Sequence, residues 1–341
     1  MEALEEAELC FPQLNNSCQR MMHPHSEAAF IYTVLFVCCS RTVHSFRILK
    51  FLQPLHVTMR SVLIFSHFRQ LHTTTNLLLL SLAVADFLVG LLQMPTDILL
   101  FQGCWMLGDF ICALNYFLGF LIVSVSVGSM VLISIDRYMA ICDPMFYTTK
   151  VTLKKVQLCI WMCWIFSAVH STWILRDFLQ QPDRYNSCYG ECVVIINYVE
   201  GAADLVLTFL GPILVITLLY LRVFMVAVSQ ARAMRSHVTD VTLQRSETVK
   251  AKKSEMKAAR TLGIVIVVFI LCSCPYYCFT VETENSSIGA TSAAIQLWLL
   301  YFNSCLNPVI YVFFYPWFRK AIKQIVTLQI LQPGSSETSL M

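Results

Sequence analysis

Charged side chains are scarce in this chain of 341 residues: 13% are Asp, Glu, Lys or Arg, where a soluble domain carries about 25%. With 57% hydrophobic residues and a mean hydropathy of +0.64, that scarcity excludes an ordinary soluble protein. No basic N-terminal region precedes an apolar run and a small-residue cleavage site, so the opening stretch reads as a soluble tail. Internal repeats and low-complexity segments are missing as well. A transporter built from paired repeats with broken helices is therefore only an outside alternative. No metal triad or activated nucleophile occurs at useful spacing, and catalysis has no candidate residue.

What is present is a series of apolar runs. Candidate spans cover roughly 76 to 100, 110 to 135, 156 to 175, 203 to 228, 261 to 281 and 289 to 314, each near the ~20 residues that a bilayer requires. A further span at the start is damaged. Basic residues mark alternate loops and the C-terminal tail as cytoplasmic: Arg69, Lys150 to Lys155, Arg245 to Arg260, and Arg319, Lys320 and Lys323. Acidic residues lie opposite, at Glu2, Glu5, Glu6, Glu8, Asp183, Glu191, Glu200, Glu282 and Glu284, which puts the N-terminus outside. The net charge of +3 reports this topology and implies no nucleic-acid partner. Lys250 to Arg260 reads either as a solvated charge run or, if helical, as a partner surface.

Six cysteines, Cys10, Cys18, Cys104, Cys112, Cys188 and Cys192, fall on the outer side, where disulfides persist. The others lie in or beside apolar spans and read as free core thiols. Cys188 to Cys192 superficially suggests a zinc motif, but no histidine pair accompanies it. Asn15 and Asn285 begin glycosylation sequons on the outer side. Near the C-terminus, Asn303 to Phe318 reads NSCLNPVIYVFFYPWF. A proline in a membrane helix frees a carbonyl that polar neighbours must satisfy, so Asn303, Ser304 and Asn307 beside Pro308 explain one another. Asp136-Arg137-Tyr138 ends the third span, and His67 to Gly90 reads HFRQLHTTTNLLLLSLAVADFLVG.

From about Val62 to Phe318 these segments resemble the class A, rhodopsin-like G-protein-coupled receptors, and more narrowly the trace amine-associated receptors. The resemblance implies an all-α seven-transmembrane bundle in the plasma membrane with a short amphipathic C-terminal helix. Its expected divisions are an extracellular tail at 1–27, an atypical first transmembrane region at 28–66, the rest of the bundle at 67–315, and a cytoplasmic helix and tail at 316–341. It also implies disulfides from Cys112 to Cys192 and from Cys18 to Cys188, and a heterotrimeric G protein as partner. No organic cofactor is expected. On the class pattern Asp86, Ser126, Asn303 and Asn307 form a polar pocket suited to an allosteric sodium ion and water. Arg137 at the inner end of the third span is expensive to bury, so Asp136 should hold it. The resemblance makes Glu255 its resting-state partner from the sixth helix. Breaking that contact would free the sixth helix, with Tyr220 and Tyr311 stabilising the open form.

Ligand recognition is expected at a second intramembrane acid. Asp204 lies eight residues before Pro212, near the outer mouth. Unpaired at full depth it would cost about 2.5–3.5 kcal/mol on insertion scales. A protonated amine would remove that cost, and Tyr276, Tyr277, Trp298 and Tyr301 are placed to add cation-π attraction. Pairing with a protein donor is the alternative. The anchor that many amine receptors carry, an aspartate seven residues after the third-helix disulfide cysteine, is absent; Gly119 stands there. Some members of the subfamily resemble this chain in using a fifth-helix acid. Glu200 and Asp97 could hold a second ammonium, as in a diamine, although simple solvation near the aqueous mouth is the expectation for each.

Two other departures stand out. Ser273 replaces the sixth-helix tryptophan common in the class, whereas Phe269 and Pro275 remain. The apolar run Ala28 to Ser40 is about 13 residues, too short to span. Arg41, His44, Arg47 and Lys50 follow it, and no Gly-Asn pair appears where the class places it. Residues 43–58 read as foreign to the pattern, the alternative being an unusual first helix that snorkels its charges. The leading expectation is a G-protein-coupled receptor for small amines, olfactory in its subfamily, acting through a stimulatory G protein and cyclic AMP. A non-signalling relative with a defective first helix is the alternative.

Overall fold

A computed structural model of the chain describes residues 9–14, 16–18, 59, 62, 73–101, 104–181, 184, 186–236, 263–278, 297, 299–307, 310, 318–320, 323–324 and 327. Helix α1 (Thr74–Leu88) passes through a π turn (Val89–Gln93) into α2 (Met94–Phe101). Helix α3 (Gly108–Cys142) is followed by the short α4 (Pro144–Lys150), by α5 (Leu153–Ile174) and by α6 (Arg176–Gln180). Then α7 (Tyr198–Asp204) passes through a second π turn (Leu205–Leu210) into α8 (Gly211–Ser236). Helix α9 covers Gly263–Cys278, and residues 299–307 are helical. The second to sixth expected spans are thus α1–α2, α3, α5, α7–α8 and α9. The first transmembrane region at 28–66, apart from Met59 and Val62, and most of the C-terminal helix expected from 316 lie outside the described residues.

Local sequence sets the helix boundaries. Thr73, Asp143 and Thr152 each accept a hydrogen bond from the backbone N–H three residues on, capping α1, α4 and α5. Pro144 opens α4, where its missing N–H costs nothing. Both π turns sit just before or around a proline, Pro95 or Pro212, whose ring would otherwise meet the preceding turn. At the second, Gly211 N–H donates to the Val206 carbonyl. A Cβ at Gly211 would lie 2.8 Å from that oxygen, so glycine is what allows the wide turn. Gly211→Ala should destabilise the purified protein by about 1–3 kcal/mol, read as a lower melting temperature in detergent; an unchanged melt would show that the turn is dispensable.

Helix α3 has 35 residues and is about 52 Å long, whereas the hydrocarbon core is about 30 Å thick. Its inner end therefore carries Asp136-Arg137-Tyr138 past the apolar slab. It packs against α1, α5 and α8. The inner core joins Leu79, Leu82, Met130, Ile133, Val265 and Phe269, and the outer core joins Trp105, Ile174, Leu175 and Phe178. Small and polar side chains draw the helices together: Trp164 donates to Ser81 at 3.2 Å, and Ser81 and Ser129 share a 3.1 Å bond. On α5, Trp161, Met162, Ile165, Phe166 and Val169 form an exposed apolar face suited to acyl chains.

Candidate functional site

The outer mouth is built on disulfides. Cys112 is bonded to Cys192 and Cys18 to Cys188, and a third bond, Cys10 to Cys104, fixes the N-terminal segment to the loop after α2. Cys18 N–H donates to the Tyr189 carbonyl and Trp105 N–H to that of Gly190, so the segment lies along the long outer loop. The sequence identified Cys10 and Cys104 only as outward-facing cysteines; nothing in their spacing dictated that pairing.

Beneath this cover lies Asp204, at the C-terminal end of α7. Thr208, one turn on, donates to its carboxylate at a long 3.3 Å, and shares a 2.9 Å bond with the Tyr277 hydroxyl. Tyr277 stacks on Phe209 with centroids 4.4 Å apart and meets Tyr276 edge-on at 5.2 Å. His170 also reaches Asp204, a contact that the sequence pattern does not show. This α5 residue is 5% exposed, and its Nε2 lies 3.7 Å from Asp204 Oδ1, beyond hydrogen-bond length. A histidine inside an apolar helix was the available signal.

Both additional acids depart from expectation. Glu200 is buried rather than solvated, with its Oε1 3.0 Å from Arg176 Nη2, so its charge is already answered within the protein. Asp97 is buried too. It accepts from Asn115 at 2.9 Å, from Tyr301 at 2.8 Å and from Gln93 at 3.2 Å. Tyr301 thus serves Asp97 through its hydroxyl. The vacant anchor position is explained by the same cluster: a Cβ at Gly119 would sit 3.2 Å from the Gln93 amide nitrogen. Gln93, reaching across to Asp97 and Asn115, takes the room that an acid on α3 would need.

In the membrane middle, Asp86 is buried and accepts from Asn307 at 2.9 Å. Its Oδ1 and the side-chain oxygens of Asn303 and Asn307 are buried without hydrogen-bond partners. Ser126 is buried as well. Orphan oxygens of this kind fit a hard monovalent cation or water.

At the inner end, Asp136 is the hub. Arg137 donates to it at 3.0 Å through Nε, Thr75 at 2.8 Å and Tyr147 at 2.8 Å, while Arg137 also bonds Thr75. Thr74 shares a 2.8 Å bond with Tyr147. This network thus ties α3 to α1 and α4, a connection that the triplet alone did not reveal. Tyr138 packs with Ile141, Val223 and Val226. The Tyr220 ring lies over Gly263 of α9, 3.1 Å from where a Cβ would project. Ser273 is fully buried with its hydroxyl unpartnered. Glu255, Trp298, Pro308, Tyr311, Asn15 and Asn285 lie outside the described residues.

Residues 59–311 match the 7 transmembrane receptor (rhodopsin family). The chain belongs to that family. The receptor is 34% identical to Trace amine-associated receptor 13c of Danio rerio, over 98% of this chain and 97% of the relative. It is 37% identical to Trace amine-associated receptor 5 of Rattus norvegicus, over 98% and 96%. Identity to Trace amine-associated receptor 4 of Mus musculus is 33%, over 98% and 96%. The receptor is accordingly a seven-helix, multi-pass protein of the plasma membrane in the trace amine-associated subfamily, and not an enzyme. The family match begins at residue 59 and so leaves out 28–58 of the receptor.

Proposed function

We propose that this receptor binds small protonated amines at Asp204 and signals through a stimulatory G protein that raises cyclic AMP. The observation that carries the reading is the setting of Asp204: a carboxylate at the outer mouth whose described hydrogen-bond donor is Thr208 at 3.3 Å, beside stacked aromatic rings and with no Lys or Arg paired to it among the described residues. An ammonium supplies the missing charge and strong donors, and the faces of Tyr276 and Tyr277 favour a cation. The relatives' names point to trace amines. Glu200 is withdrawn from the ligand by Arg176, whereas the donors that Asp97 meets among the described residues are all neutral. A diamine would therefore place its second ammonium toward Asp97.

On binding, inward movement at α7 and α9 shifts a two-state element at the inner end. Arg137 leaves Asp136 and Thr75, and the sixth helix swings away from it to admit the G protein. Asp86, Asn303 and Asn307, with Ser126, would hold a sodium ion that favours the resting form; a bound cation there supplies positive charge to the Asp86 carboxylate. The test is a panel of monoamines and diamines against a cyclic AMP reporter in cells expressing the receptor. At least one amine should give a saturable rise that is absent from untransfected cells; silence across the panel with the receptor at the surface would reject the reading.

A second reading, a non-signalling relative, is favoured by the family match starting only at 59 and by the short apolar run at 28–40 with the basic residues Arg41, Arg47 and Lys50 after it. Replacing residues 43–58 by a plain apolar segment should raise surface expression several-fold, since a span needs about 20 apolar residues. Normal trafficking of the native chain would remove this alternative.

A further inference from the structure

Among the described intramembrane groups, His170 is left without a task. It is 5% exposed, and neither ring nitrogen has a hydrogen-bond partner. Leaving such a ring unbonded in an apolar bundle is costly, and a histidine cation there would be costlier still. A neutral ring has one acceptor nitrogen. Phe166 lies parallel to it with centroids 6.3 Å apart, which leaves the ring edge free toward α7. That edge faces the proposed anchor, with Nε2 3.7 Å from Asp204 Oδ1. The gap is too long for a direct hydrogen bond. It does suit a donor bound to both atoms: one tetrahedral nitrogen making two bonds of about 2.8 Å reaches acceptors up to about 4.6 Å apart.

We propose that His170 is a specificity-determining residue which shares the ligand's ammonium with Asp204, so that the site selects amines bearing at least two N–H bonds. This rests on the assignment of Asp204 as anchor. A primary ammonium has three N–H donors and satisfies the carboxylate and the imidazole together. An N,N-dimethyl ammonium has one, which the carboxylate takes; His170 then stays unbonded and meets a methyl group. No proton transfer is required, and the imidazole is neutral throughout.

The experiment measures cyclic AMP potency for a primary amine that activates the receptor and for its N,N-dimethyl analogue, in wild type, His170→Phe, His170→Gln and Asp204→Asn. Wild type should favour the primary amine by about tenfold or more, the size of one charge-assisted hydrogen bond. His170→Phe should bring the two potencies within about threefold of each other, and His170→Gln, which keeps an acceptor, should restore part of the preference. Equal potencies in wild type would overturn the proposal without any mutant. A preference that survives in His170→Phe, with Asp204→Asn inactive, would overturn it while leaving the anchor in place. Wild-type potency in Asp204→Asn would remove the anchor itself, and this inference with it. A merely structural histidine would lower both potencies together and leave their ratio untouched.

Discussion

Asp204→Asn lowers amine potency by about 100-fold or more while surface expression stays at the wild-type level. The size follows from truncating one partner of a desolvated, hydrogen-bonded charge pair, which costs about 2–5 kcal/mol. Asparagine fills the same volume, and its side-chain carbonyl can still accept from Thr208, whose 3.3 Å bond to the carboxylate is weak in any case. The free protein loses little, because the native carboxylate is paired with no Lys or Arg among the described residues. Loss of response with intact expression therefore isolates ligand recognition. A dose–response curve superimposable on wild type would show that the amine is held elsewhere.

Arg137→Ala abolishes agonist-evoked cyclic AMP, whereas radioligand affinity for the same amine changes by less than about threefold. The guanidinium is the mobile partner of a network whose hub, Asp136, is separately held by Thr75 and Tyr147. Removing the arginine leaves those two donors in place, so the inner end of α3 keeps its packing and the protein folds. What is lost, on the proposed mechanism, is the cation that an open state would offer to the G protein. Breaking a buried pair by deleting one member can cost about 3–5 kcal/mol when the survivor is left alone; here two hydroxyls remain on Asp136, and the melting temperature should fall by less than that implies. Signalling at wild-type strength in this variant would contradict the switch.

The second to sixth spans and the polar residues of the bundle were legible in the sequence because each is a local property: an apolar run, one acid among leucines. Asp204, Asp86 and Arg137 stood out for that reason. Their partners did not. His170, Thr75 and Tyr147 reach the site from other helices, and no periodicity in α5, α1 or α4 says which atom they will meet. Burial of Asp97 and Glu200 was misjudged for a related reason: depth along a helix suggested the aqueous mouth, but Asn115, Tyr301 and Arg176 come from other elements to enclose them, with Gln93 one turn before Asp97. The missing α3 anchor was visible as Gly119, yet its physical counterpart was not, since Gln93 fills that room from α1–α2. The Cys10–Cys104 bond likewise depends on how the tail lies across the outer loop.

The most direct test is a ligand-bound structure of the receptor with an activating amine. The ammonium nitrogen should lie about 2.7–2.9 Å from an Asp204 carboxylate oxygen, under the rings of Tyr276 and Tyr277. A nitrogen seated elsewhere, with Asp204 bonded only to side chains of the receptor, would contradict the account.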